Sequence, residues 1–168
     1  MCRTSWTHVA ISAGLMLSMG MAPALGATPE SPAQSFESDG PFLKQALGVN
    51  ALELRLGHLA TERATTSEVK AMGQRMVLKH TQIGEQLTAL AKQSGVSGSA
   101  ELSPDQQETL ARVEGLSGIE FDSAFKAIIN DVHLKEFAMY RDEVSRAANP
   151  QLRVLAEQRV AALSPAPR

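Results

Sequence analysis

Three polar residues, Glu53, His80 and His133, stand where the helical apolar pattern of the chain calls for apolar side chains. Each falls near the middle of a predicted helix, on the stripe of side chains that should face the core. In a helical bundle such residues can meet at one height, and carboxylate and imidazole groups together suit zinc or iron. Glu136 follows His133 by three residues on the same helix face. The sequence therefore offers a metal site with Glu53, His80, His133 and Glu136 as candidate ligands.

The same residues fit a second interpretation that involves no metal. A buried glutamate and two histidines can satisfy one another by hydrogen bonding. A di-metal centre in a bundle uses two Glu-x-x-His pairs and two further glutamates, whereas this chain has only the reversed order His133 to Glu136. A Gly-x-Ser-x-Gly elbow and a glycine-rich phosphate loop are absent from the sequence. We therefore expect a non-enzymatic binding or envelope-stress role with a buried Glu/His cluster, and metal binding is the alternative.

The elements that must position these residues are helices. The apolar periodicity predicts helices at about 41–63, 66–94, 104–114, 119–148 and 150–163. Capping boxes are expected at Thr65 with Glu68 and at Ser117 with Glu120, and Asp122 should complement the dipole of its helix. No segment shows the alternation of a strand. The prediction is an all-α fold, an antiparallel four-helix bundle with a short extra helix before the third main helix.

The first 27 residues have the composition of a secretory signal peptide. Arg3 precedes an apolar run from Val9 to Met21, and small residues follow at 22–27. Cleavage is expected after Gly26 or Ala27, which would make the mature protein periplasmic. Residues 28–40 are small, polar and proline-containing, as in a disordered linker. The expected organisation is a signal peptide at 1–27, a linker at 28–40, the helical domain at 41–164 and a tail at 165–168.

Composition narrows the classes of partner. The chain carries 16 Lys and Arg against 18 Asp and Glu, without the basic face that nucleic-acid binding requires. Its single cysteine, Cys2, lies in the predicted signal peptide, so neither disulfides nor thiolate metal sites are expected in the mature chain. No later apolar run is long enough to cross a bilayer. His58 is expected on a solvated helix face, and a protein partner of unknown identity stays open.

Several segments together resemble a known bacterial family. They are FLKQA at 42–46, LEL at 52–54, SEVK at 67–70, QRMV at 74–77, KH at 79–80 and LSG at 116–118. With the later His133, this set is similar to the domain-of-unknown-function 4142 family over about residues 41–163. The resemblance implies a ferritin-like four-helix fold in an exported protein without a settled activity. It also implies that the recurring polar positions of the family are Glu53, His80 and His133.

The chain departs from the family at its end. Members commonly carry another histidine near the end of the last helix, and the corresponding position here is Ala166. If the family site uses that histidine, this protein has lost a ligand. The last helix is also expected to be short, and the apolar surface that it leaves uncovered is a candidate partner surface.

Overall fold

The computed structural model describes residues 38–97 and 100–164. Within these ranges the protein is all-α, with five helices and no strand. The helices are α1 (Gly40–Arg63), α2 (Ser67–Gln93), α3 (Pro104–Glu114), α4 (Gly118–Arg146) and α5 (Pro150–Leu163). The predicted all-α class is confirmed. The predicted signal peptide, residues 28–37 of the linker and the tail lie outside the described residues.

The helix starts agree only partly with the predicted caps. A capping box that was not predicted forms at Ser103, where the side chain of Gln106 returns to the Ser103 backbone. The cap of α2 is Thr66 rather than Thr65, because the extended backbone of Thr66 brings its hydroxyl to the N–H of Val69. The box predicted at Ser117 does not form, since the chain enters α4 through Gly118 with a φ of 64°. This left-handed conformation departs from the regular first turn that a capping box needs.

Helices α1 and α2 pack closely along their length, and α4 packs against α5. The closest approach lies at Gly73, where a Cβ atom would come within 2.7 Å of both the Ala60 side chain and the Gly57 carbonyl oxygen. A side chain at position 73 would therefore force the two helices apart. α1 also contacts α4, and the short α3 lies against both of them.

The apolar core consists of two clusters, one at each end of the molecule. The first cluster draws on α1, α2, α4 and α5, with Leu43, Leu87, Tyr140 and Leu152 among its fully buried members. The second cluster draws on α1 to α4, with Leu56, Val69, Val113 and Phe121 among its members. α5 thus covers one end and α3 the other. Among the described residues, no helix is long and apolar enough to span a membrane.

Candidate metal centre

The candidate ligands lie at the junction of the two apolar clusters. On α2, His80 falls between Met76 of the second cluster and Ile83 of the first. On α4, His133 and Glu136 fall between Val132 and Tyr140 in the same way. The helices therefore bring a layer of polar side chains together at mid-height, as helical periodicity requires of residues that share a core-facing stripe.

Three of the four candidate ligands converge. His80 Nδ1 lies 3.3 Å from Glu53 Oε2, and His133 Nε2 lies 3.1 Å from Glu53 Oε1. One ligand atom from each of the three residues lies within 4.8 Å of the other two. Glu53 and His80 are fully buried, whereas 36% of the His133 side chain is exposed. Glu53 is thus the centre of the cluster, and His133 forms its solvent-facing side.

The buried carboxylate of Glu53 has no hydrogen-bond partner among the described residues at either of its oxygens. The imidazole nitrogens are near enough in distance, but they do not lie in directions suited to hydrogen bonding. An uncompensated buried carboxylate is costly, and either a partner charge or a metal ion relieves that cost.

His80 is held by Asn50, which the sequence reasoning did not single out. His80 Nδ1 donates to Asn50 Oδ1 at 3.1 Å, and Asn50 is buried. The amide fits because position 84 is glycine, where a Cβ would lie 2.8 Å from Asn50 Nδ2. The sequence feature that could have indicated Asn50 is its position three residues before Glu53, on the same face of the helix.

Burial also sets the charge of His80. It lowers the pKa of this imidazole to about 4, although the nearby Glu53 acts in the opposite direction. His80 is therefore neutral at pH 7. A neutral imidazole is the form in which histidine binds a metal ion, and because Nδ1 donates to Asn50, the nitrogen left to bind an ion is Nε2.

Glu136 is also buried but is placed differently from the other three. Its Oε1 accepts two hydrogen bonds from Arg159, from Nη2 at 2.6 Å and from Nε at 3.2 Å. Its Oε2 makes no hydrogen bond with the described residues. The pKa of Glu136 is raised, first by burial and then by the charge of Glu53. Glu136 therefore borders the cluster and faces a cation of the protein itself.

Arg159 is the second residue that sequence reasoning missed. It is 3% exposed, and its guanidinium lies 5.8 Å from the centre of the Tyr140 ring. The usable signal was its spacing, because Leu152, Leu155, Ala156 and Arg159 form one buried stripe of α5. A charged residue on such a stripe requires a buried partner, which Glu136 provides.

Two other side chains singled out in the sequence have structural or surface positions. His58 is exposed, as predicted. Asp122 does more than complement a helix dipole, because it accepts hydrogen bonds from the backbone N–H groups of Thr65 and Thr66 and from the Thr66 hydroxyl. The Thr66 hydroxyl is the main cause that lowers the pKa of Asp122. Asp122 therefore ties the turn between α1 and α2 to α4. Ala166 lies outside the described residues.

The cluster has the donors and the spacing that a metal ion needs. Four ligands about 2.0–2.1 Å from a tetrahedral ion lie roughly 3.3 Å from one another. The 3.1 Å separation between His133 Nε2 and Glu53 Oε1 matches that spacing, and one ligand atom from each of the three residues lies within 4.8 Å of the other two. One carboxylate with two imidazoles suits zinc or iron. The residues present therefore fit a metal ion held by Glu53, His80 and His133.

These observations first define a class, an all-α protein with a carboxylate–imidazole cluster in its core. The sequence model of the family described as "Domain of unknown function (DUF4142)" matches residues 24–165. The chain therefore belongs to this family, as its sequence motifs predicted. The comparison with curated proteins gives no match.

A solved structure supports the fold. The chain is similar to the crystal structure of a DUF305 fragment from Deinococcus radiodurans, with a TM-score of 0.55 and 19% sequence identity. The similarity covers 81% of this chain and 95% of that one. At this level of identity it bears on the fold alone.

Proposed function

We propose that this protein is a non-enzymatic metal-binding protein that holds a zinc or iron ion with Glu53, His80 and His133. The observation that carries the proposal is the Glu53 carboxylate, which is fully buried and has no hydrogen bond to either oxygen among the described residues. The two imidazoles flank that carboxylate on opposite oxygens. A divalent cation between them would compensate the buried negative charge.

The alternative is a polar core without metal. Its support is the hydrogen bond between His80 and Asn50, which satisfies one imidazole nitrogen. A self-sufficient polar core should also satisfy its most buried charge, because an ionised carboxylate loses more on burial than an imidazole does. The unsatisfied oxygens of Glu53 therefore favour the metal-binding function over this alternative.

We further propose that α1, α2, α4 and α5 form an antiparallel four-helix bundle of ferritin-like type, with α3 as the extra helix. The close packing of α1 on α2 and of α4 on α5 supports this arrangement. The first apolar cluster supports it too, because it draws on all four of these helices. In such bundles metal sites are built from inward-facing side chains at mid-height.

We also propose that the protein works in the periplasm after removal of its first 26 or 27 residues. The support is the sequence of that segment, a basic start followed by an apolar run and small residues. Mass spectrometry of the protein from a periplasmic fraction should give a mature chain that starts at Ala27 or Thr28. A full-length chain confined to the cytoplasm would contradict export.

Elemental analysis of the purified mature protein tests the metal-binding function. We expect about one equivalent of zinc or iron per chain in the wild type and in His58→Ala, which removes an exposed histidine. We expect it to be lost in Glu53→Ala and His80→Ala. Calorimetric titration of the metal-stripped proteins with zinc should likewise show binding to the wild type and His58→Ala, and its loss in Glu53→Ala and His80→Ala.

Two results would contradict the proposal. One is a metal content that is equal in the wild type and in His80→Ala. The other is the absence of metal from both proteins, together with no change in melting temperature when zinc or iron(II) is added. A metal-free wild type with a less stable His80→Ala variant would support the polar-core alternative instead.

A further inference from the structure

The unsatisfied buried side-chain oxygens of the described residues all belong to two carboxylates. They are both oxygens of Glu53 and Oε2 of Glu136. The two residues influence each other electrostatically, because the charge of Glu53 raises the pKa of Glu136. Glu136 is therefore a second carboxylate that can add negative charge to the site formed by Glu53, His80 and His133.

Arg159 compensates one of these carboxylates, but only through a single oxygen. Its Nε and Nη2 groups both donate to Glu136 Oε1, and Oε2 has no partner among the described residues. An arginine that pairs fully with a carboxylate usually engages both oxygens in two parallel bonds. Both partners are 3% exposed, so solvent screens this charge pair very little.

We infer that Arg159 sets the metal affinity of the site, because its guanidinium acts as a built-in cation that neutralises Glu136. The inference rests on the proposed function and names the residue that tunes it. With Arg159 in place, Glu136 is paired with a cation, and Glu53 is the carboxylate that attracts an incoming divalent ion. Lys79, whose charge interacts with both glutamates, is present in either case. Without Arg159, the ion meets two buried carboxylates, and the attraction for the ion rises. Arg159 thus limits the site to weaker binding than its carboxylates allow.

Zinc titration of metal-stripped wild type, Arg159→Met and the double variant Glu136→Gln with Arg159→Met tests the inference. Methionine keeps an unbranched apolar side chain in place of the arginine stem. We expect Arg159→Met to bind zinc about tenfold more tightly than the wild type. The double variant, in which both charges are gone, should return to within about threefold of the wild type.

The double variant separates electrostatics from damage. A general disruption of the core by Arg159→Met would weaken zinc binding, and Glu136→Gln would not reverse it. Glu136→Gln alone, which leaves the guanidinium uncompensated, should bind zinc more weakly than the wild type. This variant keeps the test usable if Arg159→Met does not fold.

The result that would overturn the inference is an Arg159→Met protein that binds zinc no more tightly than the wild type, including the case in which neither binds. If Arg159→Met does not fold, Glu136→Gln with unchanged or tighter binding would overturn it. The proposed function is judged separately, by the difference between the wild type and His80→Ala in the same titration. A wild type that binds zinc through His80, with no gain in Arg159→Met, would refute the role of Arg159 alone.

Discussion

Two buried aspartates and two buried glutamates of this protein differ in how their carboxylates are hydrogen-bonded. Asp39 and Asp122, each 2% exposed, use both carboxylate oxygens to accept backbone N–H groups from turns. Glu53 and Glu136 are equally buried, but together they leave three oxygens without a hydrogen bond among the described residues. The aspartates hold turns of the fold together, whereas the glutamates place carboxylate oxygens without a hydrogen bond in its centre.

Helix geometry explains this difference. The first N–H groups of a helix and those of the preceding turn have no partner within the helix, so a nearby carboxylate can accept them. The N–H groups in the middle of a helix are already bonded to carbonyl oxygens. A carboxylate at mid-height of the molecule, where it meets only the middle of other helices, can therefore be satisfied only by another side chain, by water or by an ion. Position along the helix thus separates a structural acid from a candidate ligand.

The largest effect on stability should come from replacing an aspartate whose two carboxylate oxygens both accept hydrogen bonds. In Asp39→Ala, the N–H groups of Ala148 and Asn149 lose the carboxylate that they reach at 3.0 and 2.9 Å. Hydrogen bonds to charged groups contribute about 1.5–3 kcal/mol each, so we expect a loss of about 4 kcal/mol in the free energy of unfolding. Urea denaturation at pH 7 measures it. A loss below about 1 kcal/mol would show that the bonds are not structural.

The next effect concerns pH, because His80 and Glu143 change the free energy of unfolding in opposite directions as the pH rises. The pKa of His80 is lowered from 6.5 to about 4 by burial. Between these two pH values, His80 is protonated in the unfolded chain but neutral in the folded one. This group therefore lowers the free energy of unfolding as the pH falls, by roughly 3 kcal/mol at pH 4. The pKa of Glu143 is raised from 4.5 to about 7, by burial and then by Asp39. Its contribution is present at low pH and is lost as the pH rises through this window.

Urea denaturation of metal-stripped variants between pH 4.5 and 6.5 separates the two groups. Glu143→Gln removes a contribution that falls as the pH rises, so the slope of stability against pH should be more positive than in the wild type. His80→Asn removes the contribution that rises with pH, so its stability should fall with pH more steeply than that of the wild type, since the raised pKa values of Glu143 and Glu136 both act in that direction. Parallel curves for the wild type and His80→Asn would mean that His80 titrates normally in the folded protein.

The smallest effect should have the opposite sign to the first. Glu53→Gln replaces an unsatisfied buried carboxylate by a neutral amide of the same shape. We expect the metal-free protein to become more stable by about 1–2 kcal/mol in urea at pH 7, while zinc binding is lost. Destabilisation on the scale of Asp39→Ala would instead place Glu53 among the structural acids and remove the contrast between the two regions.

Sequence periodicity predicted the helices and the convergence of Glu53, His80 and His133 for one physical reason. Residues that interrupt an apolar stripe at mid-helix must face the core, and facing helices of similar length bring them to one height. The pairing of particular side chains was not predictable in the same way. The bond from His80 to Asn50 and the pair of Glu136 with Arg159 depend on helix rotation and on the axial position of α5. A single sequence does not encode these quantities in its periodicity.

The bonds of Asp39 also have a mechanical consequence. They join the residue just before α1 to the turn before α5, across 109 and 110 positions of sequence. A force applied to the chain ahead of Asp39 is therefore transmitted directly to the turn that holds the last helix. An unfolding motor that pulled from that side would load the beginning and the end of the domain at once, and α1 would not peel away while both bonds held.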